Sequence, residues 1–176
     1  ATDAQMLCSE IEFLAKQIKK IERQLDKYFL SHQDVDIFTS LPGAGPANAP
    51  RLLAALGTDS SRFESAQEIS TYGGIAPVVE ASGKQHWVHM RRNTAIFKKQ
   101  TFHEFAACSI HHSKWATAFY HMKRTQGSKH HAAVRSLAYK WNRIIFKCWQ
   151  ERKPYDEERY IAALEKAGSP IVKFIK

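Results

Sequence analysis

A serine lies in a glycine-containing segment that is rich in basic and imidazole side chains. Ser82 precedes Gly83, and the next ten residues add Lys84, His86, His89, Arg91 and Arg92. A serine hydroxyl can attack a phosphodiester where cations stabilise the phosphorane and the leaving oxygen takes up a proton. Ser-Gly pairs are also common in turns that do no chemistry. The residues alone leave both interpretations open.

Metal-dependent chemistry is not indicated by the sequence. Two-metal nuclease chemistry needs several carboxylates in one pocket, and residues 81–153 offer Glu104 and Glu151, which are far apart. The pairs His111-His112 and His130-His131 are adjacent, and neighbours on a helix point about 100° apart. We therefore predict no metal site and no resident cofactor in this chain.

The positive charge is concentrated in one part of the chain. The sequence has 26 Lys and Arg against 17 Asp and Glu, a formal net charge of +9. Residues 81–153 hold 15 of these basic side chains and 2 of the acidic ones, with eight histidines and all four tryptophans. Such polarisation indicates a surface for a polyanion, and nucleic acid is favoured. A membrane-surface adaptor is disfavoured because Trp and Phe fall at core spacing.

Three cysteines are too few and too widely spaced for a disulfide framework or a metal clip. We expect Cys8, Cys108 and Cys148 to be reduced, mostly buried thiols of a cytoplasmic protein. The apolar runs are too short for a transmembrane helix or a signal segment. Because the chain opens at Ala1 within a helical pattern, we expect it to be part of a longer protein.

The first segment predicts a long helix with a coiled-coil stripe. Apolar residues alternate in steps of four and three through Leu7, Ile11, Leu14, Ile18, Ile21, Leu25 and Tyr28. This spacing favours a coiled coil with another helix or subunit. Packing of the stripe onto the chain's own domain is the alternative.

A glycine-rich turn, LPGAG, separates Phe38 from a helix that carries Leu52 and Leu56. The pattern resembles a helix-hairpin-helix motif, in which backbone N–H groups near Gly43 and Gly45 contact a phosphate. A plain connector between two helices is the alternative, and the net negative charge of residues 41–80 weakens the phosphate interpretation.

The rest of the sequence predicts one β-hairpin among helices. Residues 77–80 and 86–90 are strand-like and flank the loop 81–84. Helices are expected over 94–111, from Ser113 to near Gly127, from Ser128 to Pro154, and from Asp156 to Gly168. The helix over 94–111 carries the apolar residues Ile96, Phe97, Phe102, Phe105 and Ile110. We predict a mainly α fold: a helical domain with a helix-hairpin-helix-like motif, one small β-hairpin and a protruding N-terminal coiled-coil helix.

Residues 38–165 carry a specific order of motifs. LPGAGPANAPRLLAALG is followed by SRFESAQEISTYGGIAPVVEASGK and then by the long basic segment from KWATAFYHMKR onward. This order is similar to the C-terminal transposase domain of the DEDD-type insertion-sequence transposases. These are bridge-RNA-guided serine recombinases related to pilin-gene invertases. Many members continue with Lys/Arg-Gly-Asn, where this chain has Arg91-Arg92-Asn93 without the glycine.

The resemblance implies a function for the chain and a role for each of its segments. It makes Ser82 the nucleophile that joins DNA through a phosphoserine. It places Mg²⁺ on an RNase-H-like DEDD domain with no counterpart in this sequence, and residues 1–37 in a coiled-coil helix that leads to it. Residues 38–168 would be the transposase domain and residues 169–176 a tail. The setting would be a bacterial cytoplasm, in association with the nucleoid.

We therefore expect a DNA transposase or recombinase domain that binds DNA and a guide RNA and self-associates through its N-terminal helix. The expected cations near Ser82 are Lys84, Arg91 and Arg92. Further phosphate contacts are expected from Lys98, Lys99, Arg135, Lys140 and Arg143. A non-catalytic nucleic-acid-binding helical module is the alternative.

Overall fold

Eight α-helices, two 3-10 helices and one two-stranded antiparallel sheet make up residues 2–175. The computed structural model describes these residues, without the side chains of Thr2 and His86. The α-helices are α1 (Thr2–Leu30), α2 (Val35–Thr39), α3 (Gly45–Leu56), α4 (Ala66–Tyr72), α5 (Ile96–Ser109), α6 (Lys114–Thr125), α7 (His130–Glu151) and α8 (Glu157–Lys166). The strands are β1 (Val78–Ser82) and β2 (Gln85–His89), and the 3-10 helices are Ser60–Arg62 and Pro170–Phe174. The predicted mainly α fold with one small hairpin is confirmed.

The core is built around α7, which packs against α4, α5 and α6. Its buried face carries Leu137, Trp141 and Ile145. The Trp141 ring lies 4.6 Å from that of Trp115 and 5.3 Å from that of Phe105, measured between centroids. Aromatic pairs at these separations stabilise a core beyond the burial of their area. The core spacing predicted for the helical aromatic residues is confirmed here.

Side-chain caps begin three of the α-helices, α4, α6 and α8. Ser113 and Asp156 cap α6 and α8 as predicted, each accepting a hydrogen bond from a backbone N–H of the first turn. The predicted cap of α7 at Ser128 is wrong, because Lys129 occupies that position. Ser128 instead closes α6, since its N–H donates to the carbonyl of Lys123.

The N-terminal helix α1 leaves its apolar stripe uncovered. The seven residues from Leu7 to Tyr28 are between 55% and 76% exposed. Among the residues of α1 whose burial is described, Phe29 alone is buried. The predicted long helix is therefore present and projects from the domain. Packing of its stripe onto the domain is not seen within residues 2–175.

A buried carboxylate fixes the junction between α1 and the domain. Asp34, 1% exposed, accepts a hydrogen bond from Trp149 Nε1 at 2.9 Å and another from the guanidinium of Arg152. Both donors lie at the C-terminal end of α7, where Arg152 adopts a left-handed conformation with φ of 54°. The end of α7 thereby holds the segment from which α1 departs.

Some expected burial is not observed. Ile96 and Phe97, at the start of α5, are 74% and 47% exposed, and the guanidinium of Arg51 in α3 lies 5.8 Å from the Phe97 ring centroid. Cys8 and Cys108 are also exposed, so the expectation of mostly buried thiols is wrong. No helix of the described residues is both long and apolar enough to cross a membrane.

The segment predicted as a tail is partly ordered against the domain. Residues 170–174 form the second 3-10 helix, which packs against α6. Ile171 on this helix is 3% exposed and belongs to the hydrophobic core. Residue 176 lies outside the described residues.

Candidate functional site

Ser82 lies beside the turn of the hairpin. The two strands pair from Val78 with His89 to Ser82 with Gln85, which leaves a two-residue turn at Gly83 and Lys84. Gly83 has φ of +59°, a conformation that glycine adopts without strain and that two-residue hairpin turns require. The expected four-residue loop is thus shorter, and Ser82 is the last residue of β1. Its side chain is exposed.

The hairpin separates Ser82 from two of the three cations expected beside it. Lys84 lies in the turn, two residues from Ser82. Arg91 and Arg92 follow the opposite end of β2, beyond His89. Four residues of strand separate His89 from the level of Ser82, a distance of roughly 13 Å. The structure therefore brings only Lys84 close to the serine.

The face of the hairpin that carries Ser82 also carries a tryptophan. Because side chains alternate along a strand, Ser82, Gln85 and Trp87 share one face, with Trp87 diagonal to Ser82. Diagonal partners can interact on this face, since His89 Nε2 lies 3.5 Å from a carboxylate oxygen of Glu80. Trp87 is 45% exposed. Sequence reasoning missed it by treating every tryptophan as core, although its strand-like, non-helical setting distinguished it.

The acidic residues considered as metal ligands are engaged elsewhere. Glu104 accepts hydrogen bonds from Gln100 at 2.6 Å and from Arg51, and these bonds lower the pKa of its carboxyl. Glu151 lies 3.8 Å from the ammonium of Lys147. No group of three or more His, Cys, Asp or Glu is placed to hold a metal ion among the described residues. These residues therefore do not fit Mg²⁺.

Five of the expected phosphate contacts lie along one surface, which we call the basic surface. A cleft of about 440 Å³ beneath the hairpin is lined by Arg91, Arg135 and Lys140. Arg135 also lines a neighbouring cleft of about 230 Å³ together with Lys99, and Lys140 lines a third cleft together with Arg143. The Nε atom of Arg91 is buried without a hydrogen-bond partner in the described part of the chain. The shared residues show that the clefts are neighbours.

Lys98 and Arg92 are not part of the basic surface. The ammonium of Lys98 lies 3.2 Å from the ring centroid of Tyr72, and this nearby charge lowers the pKa of Tyr72. Lys98 therefore contacts α4, while Lys99 lines the cleft of about 230 Å³. Arg92 is exposed and lines none of the three clefts.

The LPGAG turn packs its first glycine against α5. A Cβ atom on Gly43 would lie 2.8 Å from the backbone nitrogen of Ser109, so a side chain there would collide with the helix end. Asn48 Nδ2 donates to the carbonyl of Gly43 at 3.3 Å. Gly45, at the start of α3, has open space around it. Gly43 thus acts in packing, and only Gly45 faces a space that a ligand could enter.

A histidine cluster adjoins the basic surface. The ring centroids of His103 and His131 lie 5.5 Å apart, and the hydroxyl of Tyr120 lies 2.9 Å from His130 Nδ1. Burial lowers the pKa of His103, and the neighbouring His131 and Arg135 lower it further. His103 is therefore neutral at pH 7 and adds no charge to the surface.

A protein-family model matches the part of the chain that contains the hairpin. Residues 35–121 match the model of the transposase IS116/IS110/IS902 family. These residues are therefore similar to a domain of that family. The match runs from the start of α2 into α6, so the matched segment includes the LPGAG turn, the hairpin and Ser82.

Relatives with longer chains support the assignment. The mini-circle putative transposase for IS117 of Streptomyces coelicolor is 34% identical over 151 residues, which cover 85% of this chain and 36% of the relative. An uncharacterized 42 kDa protein of insertion element IS900 from Mycobacterium paratuberculosis is 27% identical over 165 residues, or 93% and 41% of the two chains. An uncharacterized 43.6 kDa protein of IS110 from S. coelicolor is 28% identical over 164 residues, or 92% and 40%. The chain thus spans about two fifths of these relatives.

Proposed function

We propose that this chain is the part of a DNA transposase that cuts and rejoins DNA through Ser82. The observation that carries the proposal is the exposed position of Ser82 at the turn end of a hairpin whose other end adjoins the basic surface, within the segment that matches the transposase family. A two-stranded hairpin is marginally stable alone, and no described element covers either face of this one. A hairpin of this kind suits contact with a large partner such as DNA.

In the proposed reaction, Ser82 Oγ forms a bond to the phosphorus of one phosphodiester while the bond to a deoxyribose oxygen breaks. The hydroxyl proton leaves to a base, and the released oxygen takes up a proton. Lys84 neutralises charge on the phosphate. The phosphoserine conserves the energy of the broken bond, so attack by a hydroxyl of another DNA end reseals a strand and frees Ser82.

Trp87 is proposed to position the DNA for this attack. Its indole lies on the face of Ser82 and is open for stacking on a nucleobase. Stacking of this kind depends little on base identity. The indole would hold the nucleotide beside the scissile phosphate while the basic surface holds the backbone.

The reaction needs groups from outside these residues. A serine hydroxyl is a weak nucleophile unless a base activates it, and Glu80 on the same face is directed to His89 instead. We propose that a DEDD domain of the longer protein supplies Mg²⁺ and the proton acceptor, with residues 1–37 as the helix leading to it. The 176-residue chain alone is then expected to bind DNA without cutting it.

A guide RNA is the second nucleic acid proposed to bind the longer protein. The 15 basic and 2 acidic side chains of residues 81–153 provide charge for more than one strand. RNA that copurifies with the protein, resists high-salt washing and has a single sequence would support guidance. A heterogeneous RNA population would contradict it.

The proposal is tested by a covalent adduct. The protein is expressed with its whole reading frame and incubated with end-labelled DNA that carries the element's ends. Denaturing electrophoresis is expected to show labelled protein for the wild type and for Ser31→Ala, an exposed serine outside the hairpin. Ser82→Ala is expected to abolish the adduct and retain binding. Equal adduct from Ser82→Ala would place the bond on another residue and overturn the proposal, and no adduct from the wild type would leave the non-catalytic binding module as the function.

A further inference from the structure

A cleft of about 430 Å³ lies between α7 and α8, on the far side of Lys140 from the hairpin. Its walls come from both helices and from the connecting residues 153–156, and none of its lining residues belongs to the hairpin. Its volume lies within the range of small-molecule sites, toward the small end. The cleft is large enough to be a binding site in its own right.

The cleft carries more basic than acidic side chains, and most of the basic ones are not paired with a carboxylate. Five basic side chains line it, against the carboxylates of Glu151 and Asp156. Glu151 is paired with Lys147, and Asp156 accepts the backbone N–H that begins α8. Within the described residues, no carboxylate oxygen lies within 4.0 Å of a side-chain nitrogen of the remaining basic residues, Lys140, Arg143, Lys153 and Arg159.

Lys140 lies at the boundary between this cleft and the cleft beneath the hairpin, which Phe119 and Lys123 also line. Its side chain is partly buried, and its ammonium lies 5.4 Å from the ring centroid of Phe119. The ammonium of Lys123 lies 5.8 Å from the same ring. Burial lowers the pKa of Lys140, and the charges of Arg143 and Lys123 lower it further. An anion in the cleft would relieve this repulsion.

Aromatic side chains form the floor of the cleft. The hydroxyl of Tyr155 accepts a hydrogen bond from Trp115 Nε1 at 2.7 Å, which fixes the ring. The Tyr160 ring lies 6.3 Å from it and 4.9 Å from the Trp115 ring, measured between centroids. Cations beside fixed aromatic rings suit a ligand with an anionic group attached to a flat or apolar one.

We propose that the α7–α8 cleft binds a phosphodiester group of a nucleic acid strand through Lys140, Arg143 and Arg159, with the attached nucleoside against Tyr155 and Tyr160. The site is separate from the serine hairpin and does not depend on Ser82 being a nucleophile. The cleft is the α8 end of the basic surface and adjoins the cleft beneath the hairpin at Lys140, so the proposal rests on nucleic-acid binding by that surface and extends it to α8.

The first test compares two double variants of equal charge in the 176-residue chain. Arg143→Gln with Arg159→Gln removes two exposed cations of the cleft, while Lys166→Gln with Lys173→Gln removes two exposed cations elsewhere. Binding of a fluorescein-labelled thymidine 20-mer is followed by anisotropy across a salt series. The cleft variant is expected to bind about tenfold more weakly and to lose about one unit of the log–log salt slope. Equal losses in both variants, or none in the cleft variant, would overturn the proposal.

The second test reads occupancy of the cleft directly. Cys148 lines the cleft, and Cys8→Ser with Cys108→Ser leaves it as the chain's thiol. The 20-mer is expected to slow alkylation of Cys148 by N-ethylmaleimide at least threefold, while inorganic phosphate at the same phosphate concentration leaves the rate unchanged. Equal slowing by inorganic phosphate would identify a site for free anions and contradict a site for a nucleic acid strand. No slowing by either would also contradict the proposed site. Neither test involves DNA cleavage, so failure of the serine mechanism would not affect them.

Discussion

Trp87 differs from the other tryptophans in being exposed, and its position beside Ser82 makes it informative. Trp115, Trp141 and Trp149 are fully buried in the helical core. An exposed indole on a two-stranded hairpin gains little from its own chain, because no described element packs against that face. A nucleobase that stacks on it would bury the ring and gain roughly 1–3 kcal/mol.

Trp87→Ala is expected to weaken binding of single-stranded DNA by roughly 5- to 150-fold, the equivalent of that stacking energy. Trp87→Phe should retain most of the affinity. Val79→Ala serves as the control, because Val79 is as exposed but lies on the opposite face of the hairpin. Anisotropy of a labelled strand measures all three. Equal effects of Trp87→Ala and Val79→Ala would show that the indole makes no stacking contact.

Cys148 provides a residue-scale test of the packing between α7 and α8. Burial and, to a smaller extent, the carboxylate of Glu151 raise the pKa of its thiol to about 11. At pH 8 a thiol of pKa 11 has roughly a thousandth of its population as thiolate, against about a quarter for an ordinary cysteine. Alkylation at pH 8 should therefore be slowest at Cys148, as peptide mapping would show. Labelling of Cys148 as fast as that of Cys8 and Cys108 would contradict the burial.

Ser82 could be selected as the candidate nucleophile from the sequence, but the positions of its neighbouring cations could not be predicted. Lys84, Arg91 and Arg92 lie within ten residues of Ser82, which suggested one cluster. A hairpin reverses the chain, so residues on the far side of the turn move away at about 3.3 Å each along the strand. The pairing register decides the distance, and the sequence left the turn length between two and four residues.

At the scale of elements, the apolar stripe of helix α1 has no packing partner within the described residues. Its stripe from Leu7 to Tyr28 is exposed at every position, and apolar side chains at this spacing stabilise a helix by packing against another. A second copy of the chain is the partner that we propose. The heptad spacing predicted the helix correctly, because the period is a local property. It could not decide the partner, which depends on what lies outside the segment.

Ile18→Asp is expected to convert self-associated protein to monomer with the domain still folded, since the charge falls in the middle of the stripe. Ser9→Asp adds the same charge at a position outside the stripe, and it should leave the association unchanged. Sedimentation velocity at equal concentrations measures both. A wild type that is already monomeric at micromolar concentration would contradict the coiled-coil proposal.

The junction at Asp34 gives a stability prediction for the elements that meet there. Asp34→Ala removes the acceptor of the Trp149 and Arg152 hydrogen bonds and leaves the buried indole N–H without its partner. We expect the free energy of unfolding to fall by about 2 kcal/mol, as for the loss of buried hydrogen bonds. Asp36→Ala, an exposed carboxylate in α2, should change it by less than about 0.5 kcal/mol. Urea denaturation distinguishes the two, and equal losses would show that Asp34 does not hold the junction.

At the scale of the whole molecule, the charge pattern and the fold agree. Residues 81–153 span most of the hairpin with α5, α6 and α7, and five of their expected phosphate contacts lie along the basic surface. Composition identified this part of the chain, because an excess of charge needs no fold to be counted. Composition could not tell which of two adjacent lysines in α5 lies on the basic surface and which lies on another side of the helix. Lys98 and Lys99 differ in direction by one helical step.

Binding of duplex DNA is expected to depend steeply on salt, with a log–log slope near −5 for about six phosphate contacts. Lys99→Glu should weaken binding for all sequences alike and make the slope shallower, since phosphate contacts carry no base readout. Lys98→Glu is the matched control, because Lys98 lies over Tyr72 and not in the cleft. Filter binding between 50 and 200 mM salt would measure both variants. A larger effect from Lys98→Glu would contradict the assignment of the basic surface.

The location of the covalent bond tests the central proposal most directly. The full-length protein is trapped on DNA that is nicked near the cleavage site, digested with nuclease and trypsin, and analysed by mass spectrometry. Cleavage after Arg62 and Lys84 gives one peptide with three serines, Ser65, Ser70 and Ser82. The account predicts a nucleotide remnant on Ser82 and unmodified Ser65 and Ser70. A remnant on another residue, or strand cleavage without any protein-bound nucleotide, would contradict it.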